Sequence, residues 1–415
     1  MIDIKLLREN PEKVKENCKI RNVKIDIDLL LQLDSEKRKL ITEFEALRAE
    51  QNKKSKTKPD EKEILEMRKI KEEIKKDEEK LKETEEKFRN LFMAVPNFTH
   101  PDVPIGGEED YKVVFTKGKP PKFDFTPKDH EAIMVEKDLI DFERGAKVAG
   151  NKFYFTKNAL VFLNQALINY GISIVSKHGF TIMETPDLAK DEILAGIGFN
   201  PRGPETQIYS VEKSDLSLIG TAEITIGGYH ANEVLDLSNG PKKYAALSHC
   251  FRTEAGTYGR LSKGLYRVHQ FTKLEMFVFC KPEDSEKYHE EILNIEKEIV
   301  DGLKLPYRVI DAASGDLGGP AYRRFDVEAW MAMKGEKGDY GEITSCSNCT
   351  DYQARRLNIR YKKKDGTIDF IHTLNGTAVV LSRFPLAIIE NYQQKDGSIN
   401  VPTVLQKYIK IKKIK

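Results

Sequence analysis

Residues 249–279, HCFRTEAGTYGRLSKGLYRVHQFTKLEMFVF, predict two strands around a polar, glycine-rich turn. The returning limb, Phe271 to Phe279, alternates large apolar with polar side chains, the period of a strand buried on one face. Gly256, Gly259 and Gly264 lie between the limbs among Arg260, Lys263 and Arg267, a composition suited to a mobile basic loop over a phosphate-bearing ligand. Arg252, a carboxylate at Glu254 and the Phe271 ring are the kinds of group that hold a phosphate, an amine and a flat base together. The competing reading is an ordinary surface hairpin whose charged turn is merely solvated.

A chain of 415 residues has room for two or three domains and a large core. Its 68 basic and 66 acidic residues balance to a net charge of +2, so any RNA contact is expected from local patches rather than an overall basic field. No apolar run of membrane-spanning length is expected, and no membrane association. The opening MIDIKLLRENPEKVKENC carries early acids without an apolar centre, unlike a secretory or organelle signal. Five cysteines, odd and sparse, point to a reducing, cytoplasmic setting. Cys346 and Cys349 form a lone C-x-x-C, and since a zinc site takes about four ligands, buried thiols are expected there and no zinc.

In chain order, Asn10-Pro11-Glu12 opens a helix. From Asp28 to about Gln51, Leu29, Leu33, Leu40, Phe44 and Leu47 fall near one helical face; after a polar break, Ile64, Met67, Ile74, Leu81, Phe88 and Leu91 do the same. Each helix is too thinly apolar to stand alone, so the two predict an antiparallel hairpin over about 28–91. Its tip carries Lys53, Lys54, Lys56 and Lys58, four cations placed to meet a phosphate backbone. Proline and glycine between 96 and 110 mark a linker. The expected division is an N-terminal helical arm at 1–95, the linker at 96–110 and a larger domain at 111–415, which the resemblance given next implies to be catalytic. Within the last, a helix is expected from Lys157 to His178, then a strand at 179–186 ending in proline.

Phe-Arg-x-Glu at 251–254, the basic loop and His-Gln-Phe-x-Lys-x-Glu at 269–275 closely resemble the second signature motif of class II aminoacyl-tRNA synthetases, most nearly the common, zinc-free seryl-tRNA synthetases. Further matches follow in family order. Residues 179–186 resemble the first motif, which with its preceding helix implies a homodimer interface. Thr221-Ala222-Glu223 resembles the Thr-x-Glu amino-acid signature; as residues of a strand, Thr221 and Glu223 would point to one face. Residues 340–356, YGEITSCSNCTDYQARR, and 373–393, TLNGTAVVLSRFPLAIIENYQ, resemble the seryl E-x-x-S block and the third motif, a strand leading into a helix. Thr344 stands where serine is usual, Ser382 where many relatives have glycine, and Phe384-Pro385 where the helix usually starts polar. A β-carbon at 382 is expected to crowd a nucleotide.

The resemblance implies an α+β fold, with an antiparallel two-helix coiled-coil arm followed by an antiparallel β-sheet flanked by helices. It implies that L-serine and ATP, with Mg2+, give seryl-adenylate, whose seryl group passes to the 3′ end of the tRNA for serine, and of the selenocysteine tRNA where one exists. The arm would reach that tRNA. Arg252, Glu342 and Arg383 are the implied catalytic residues. Thr221, Ala222, Glu223, Arg252, Glu275, Asn348 and Thr377 would bind serine. Arg252, Thr253, Glu254, Val268, Phe271, Glu342, Ile343, Thr344, Ser345 and Arg383 would bind ATP, with Glu342 and Ser345 toward Mg2+. A non-catalytic paralogue serving as an RNA-binding scaffold is expected to lose Arg252, Glu342 or Arg383; all three are present.

Overall fold

Asp3 caps a short helix, α1 (Ile4–Glu9), and Asn10 caps α2 (Pro11–Ile20), which begins on the proline that a first helical turn tolerates. The computed structural model to which they belong describes residues 1–54, 61–199, 207–254, 264–335 and 337–415, without the side chains of 61–64 and 66. It forms two units, Met1–Phe98 and Thr99–Lys415.

In the first unit, α3 (Ile27–Lys54) and α4 (Glu61–Ala94) are long and mostly charged. Each hides a narrow apolar stripe: Leu30, Leu33 and Leu40 on α3, and Ile70, Ile74, Phe88 and Phe92 on α4. Leu29, expected in that stripe, is 43% exposed. Leu30 replaces it because the buried series runs Ile27, Leu30, Leu33, in steps of three. Asp34 is buried beside this stripe, where Arg8 donates to both its oxygens at 2.8 Å and Arg38 to one at 3.1 Å. Lys53 and Lys54 end α3, with Lys54 paired to Glu50 at 2.9 Å. Lys56 and Lys58 lie outside the described residues.

The second unit is built on an eight-stranded sheet: β1 (Lys112–Lys117), β2 (Thr181–Glu184), β3 (Lys242–Phe251), β4 (Gln270–Cys280), β5 (Tyr307–Asp311), β6 (Arg323–Met331), β7 (Asp339–Asn348) and β8 (His372–Val380). Across the sheet the order is β1-β5-β6-β7-β8-β4-β3-β2. All neighbours are antiparallel except β2 and β3. Four helices matter for the site: α5 (Asn158–Lys177), α6 (Ala222–Tyr229), α7 (Ser285–Leu303) and α8 (Phe384–Tyr392).

Strand β4 is not the half-buried strand its alternation predicts. Only Gln270 and Thr272 keep intermediate exposure; the rest is buried. Met276, Val278 and Cys280 enter the larger core with α5, α7 and α8, while Phe277 and Phe279 enter a second core with α6. Helices cover both faces, so the polar positions Lys273 and Glu275 are buried as well. Helix α5 corrects another expectation, since by length and composition alone it is apolar enough to cross a membrane. It spends that character on the core, burying Leu160, Leu163, Leu167, Ile174 and Val175.

Candidate active site

The β3–β4 pair, in register from Lys242↔Phe279 to Phe251↔Gln270, delivers Arg252 just past its last rung. The Arg252 N–H donates to the His269 carbonyl at 3.0 Å and Nε to the Gly220 carbonyl at 3.2 Å. Its guanidinium lies 5.3 Å from the Phe271 ring centroid, within cation–π range. Glu254, at a φ of +49°, receives a hydrogen bond from Arg267 at 3.2 Å. Gly256, Gly259, Arg260 and Lys263 lie outside the described residues.

Arg252, Glu254, Val268, Phe271, Glu342, Ile343, Thr344, Ser345 and Arg383 line one cavity of about 110 Å³. Thus nine of the ten residues expected around a nucleotide face a common space. Thr253 does not; its N–H donates to the Gln207 carbonyl. Arg383 stands at the N-terminal boundary of α8, just beyond β8. Its Nη1 donates to the Glu342 carbonyl at 2.8 Å, and its guanidinium stacks 3.7 Å from the Tyr266 ring centroid. Pro385 sits in the first turn of α8, a position that lacks a backbone partner anyway. Ser382 lines the same cavity.

A second cavity, about 270 Å³, is lined by Thr221, Glu223, Glu275, Cys349, Asn375 and Thr377 among others. Arg252, Lys273, Ser345 and Thr377 line both cavities, which therefore adjoin. Thr221 and Glu223 are not on a strand: Thr221 is the N-cap of α6, accepting from the Glu223 N–H at 3.2 Å. A threonine followed by an acid in the next turn is as much a helix-start signal as a strand pair. The acid still reaches the cavity. Its Oε1 accepts from Gln353 at 2.7 Å and Asn375 at 3.0 Å. Desolvation first, and the Glu275 charge second, push its pKa up to about 7. Glu275 accepts from Lys273 at 2.7 Å and from the Thr377 hydroxyl at 3.1 Å. Two carboxyls beside one lysine suit a small cationic, hydroxyl-bearing ligand.

Two expected serine contacts fall elsewhere. Ala222 is buried in the second core. Asn348 is buried outside both cavities because its amide is committed to Glu286, at 3.1 Å, and to the Thr350 N–H, at 2.9 Å. Lys273, Asn375 and Gln353 stand inside the quoted motifs but were not expected among the site residues. The first two had a signal, since each precedes a recognised residue by two along a strand and so shares its face. Gln353 had none.

Glu342 and Ser345 present a carboxylate and a hydroxyl to the first cavity. Oxygen donors in that number suit Mg2+ completed by phosphate oxygens, and the described residues contain no cluster of three or more metal-ligating side chains. Cys346 packs in the larger core, whereas Cys349 lines the second cavity.

Residues 1–99 match the family described as the seryl-tRNA synthetase N-terminal domain, and residues 208–392 the class II tRNA synthetase core domain of the G, H, P, S and T types. The chain is 53% identical to the serine–tRNA ligase of Dictyoglomus thermophilum, covering 100% of this chain and 99% of the relative. Seryl-tRNA synthetase from Pyrococcus horikoshii, solved with ATP, superposes with a TM-score of 0.89 at 37% identity, covering 100% and 99%. The cytoplasmic serine–tRNA ligase of Naegleria fowleri, solved with AMP, gives 0.84 at 34% over the same shares.

Proposed function

The chain belongs to the seryl-tRNA synthetase family, and from that premise we propose how its two adjoining cavities divide the work of an ATP-dependent serine–tRNA ligase. The observation that carries this reading is the shared wall: Arg252, Lys273, Ser345 and Thr377 face both spaces. ATP takes the cavity between Phe271 and Arg383, with its base on the Phe271 ring and its triphosphate running toward the arginines. Serine takes the other, its ammonium toward Glu223 and Thr221 and its hydroxyl toward Glu275 and Thr377. The serine carboxylate then meets the α-phosphate at the junction, beside Arg252.

A serine carboxylate oxygen attacks the α-phosphorus, and the bond to the bridging oxygen breaks to release pyrophosphate. Arg252 neutralises the α-phosphoryl oxygens as charge shifts, its planar fork matching two of them. Arg383 holds the departing end, and holding both reactants in line supplies much of the acceleration. Mg2+, held by the Glu342 carboxylate and the Ser345 hydroxyl, supplies further neutralisation of the phosphates when bound. In the second step the terminal ribose hydroxyl of the tRNA attacks the seryl carbonyl and AMP leaves.

Residues 1–95 serve as the arm that takes the tRNA, with Lys53 and Lys54 at the end of α3 toward its backbone; residues 96–110 link it to a catalytic domain at 111–415. The catalyst works as a homodimer. A cytoplasmic setting agrees with five sparse cysteines that are all buried. Pyrophosphate exchange with serine, threonine, alanine and glycine tests the assignment. Exchange with serine alone is expected. Exchange with none of the four, by a protein that still binds tRNA, would make it a scaffold.

A further inference from the structure

Glu296, on α7, has no exposed surface, and the chemistry above makes no use of it. It stands where the sheet splits. Strands β7 and β8 pair only at Asn348↔Leu374, Ser347↔Asn375 and Cys346↔Gly376. Past that last rung β7 continues alone along β6, and β8 along β4, each through a register shift, between Val327 and Glu328 on β6 and between Thr377 and Val379 on β8. Ser345 and Thr377, the first residues beyond the rung, are two of the four that line both cavities. The fork is therefore what opens the sheet to its substrates.

Backbone pairing no longer fixes the gap there, and one side chain spans it from the core side. Glu296 Oε2 accepts from the Thr344 hydroxyl on β7 at 3.0 Å. Its Oε1 lies beneath Gly376 on β8, where a β-carbon would come within 2.9 Å of it and 2.3 Å of Ile292 Cγ2. Oε1 itself has no hydrogen-bond partner among the described residues, so the hold on β8 is this close packing beneath Gly376. The charged or titratable groups around it are Glu275 and Asp326 from the sheet, with the Cys346 thiol. Burial pushes the carboxyl well above its usual range.

We infer that Glu296 is a positioning residue for adenylate formation, clamping β7 to β8 across the fork so that Ser345 and Thr377 keep the spacing that brings nucleotide and amino acid together. This rests on the adenylation reading given above.

The test uses the full-length protein and serine-dependent pyrophosphate exchange, with kcat, both KM values and thermal midpoints measured. Glu296→Gln, neutral and isosteric, should keep kcat and the two KM values within about threefold, whereas Glu296→Leu should lower kcat by about tenfold or more, since misplacement by an ångström is that costly. Thr344→Val removes the partner hydroxyl at nearly unchanged volume and should reproduce a kcat loss with a native-like midpoint. A folded Leu variant with wild-type kinetics overturns the inference, and so does a folded Gln variant as impaired as Leu. Should Leu fail to fold, wild-type kinetics in Thr344→Val overturn it alone. Absence of exchange in the unmodified protein overturns the adenylation reading and this inference together.

Discussion

At the level of single residues, Arg252 is held where two binding spaces meet, by the Gly220 carbonyl on one side and the Phe271 ring on the other. A cation so placed acts on charge that moves during the reaction, and removing one such preorganised group typically costs about 10²–10³ in kcat. Arg252→Ala should therefore lose about that much pyrophosphate exchange while keeping its thermal midpoint; near-normal exchange would count against the role. Glu223 gives a prediction in pH. Its folded pKa is about 7, raised by burial and by Glu275, so below neutrality the empty site holds a proton there. An ammonium placed beside it favours the carboxylate, and binding serine must expel that proton. Serine affinity should consequently rise with pH up to about 7 and level off above it, approaching tenfold per pH unit well below the pKa. Glu223→Gln, which cannot ionise, should bind serine weakly and with no such slope. Calorimetric titrations at several pH values read both quantities, and an unchanged slope in the variant would remove Glu223 from the site.

Among the secondary-structure elements, the arm is the one whose removal separates the two steps. The large core gathers residues from Ile133 to Ile414 and, among the described residues, takes none from α3 or α4. Deleting residues 28–91 should thus leave serine-dependent exchange within about threefold while reducing tRNA serylation by about a hundredfold or more, given how much nucleic-acid affinity rests on backbone charge contacts. Serylation at the full rate by the truncated protein would end the arm's assignment. These helices were legible in the sequence because a stripe of Leu, Ile and Phe at 3.6-residue spacing stands out against lysine and glutamate. Even so, Leu29 and Leu30 were exchanged, because adjacent leucines satisfy the same period and only packing selects one. The Phe271–Phe279 strand was legible as a strand but not as a central one, since burial on its second face depends on α6, far off in sequence. Thr221 and Glu223 were legible as a pair facing one space and misread as a strand; three residues carry no period. Asn348 was misplaced for a related reason: membership in a motif says nothing about which partners a side chain finds, and Glu286 and the Thr350 N–H claim this one. Glu296 was invisible, as one acid among several on an amphipathic helix, until the fork beside it was seen.

For the molecule as a whole, the sheet has two edges, and they differ in how they are protected. Strand β1 shields itself: Lys112 and Lys117 bracket it, its register shifts between Val113 and Phe115, and the Lys297 ammonium covers the Phe115 ring at 4.3 Å. Such charges and bulges discourage further pairing at an edge. Strand β2, TIME, has no register shift and a single charge at its end; Thr181, Ile182 and Glu184 are exposed, with Ile182 at 38%. Helix α5, which immediately precedes it, leaves Phe162 59% and Val161 38% exposed although the rest of the helix supplies the core. Exposed apolar side chains on the helix that leads into an open sheet edge fit a two-fold interface, in which one surface serves both partners. The protein should therefore sediment at twice its 47.5 kDa chain mass at micromolar concentration. Phe162→Glu places a charge in that patch at a side chain that takes no part in the core, so it should yield a folded monomer with the thermal midpoint of its isolated subunit. Sedimentation velocity across a dilution series distinguishes the outcomes. A wild-type protein that stays at the single-chain mass would refute the dimer, and a Phe162→Glu variant that remains dimeric would move the interface away from β2 and α5.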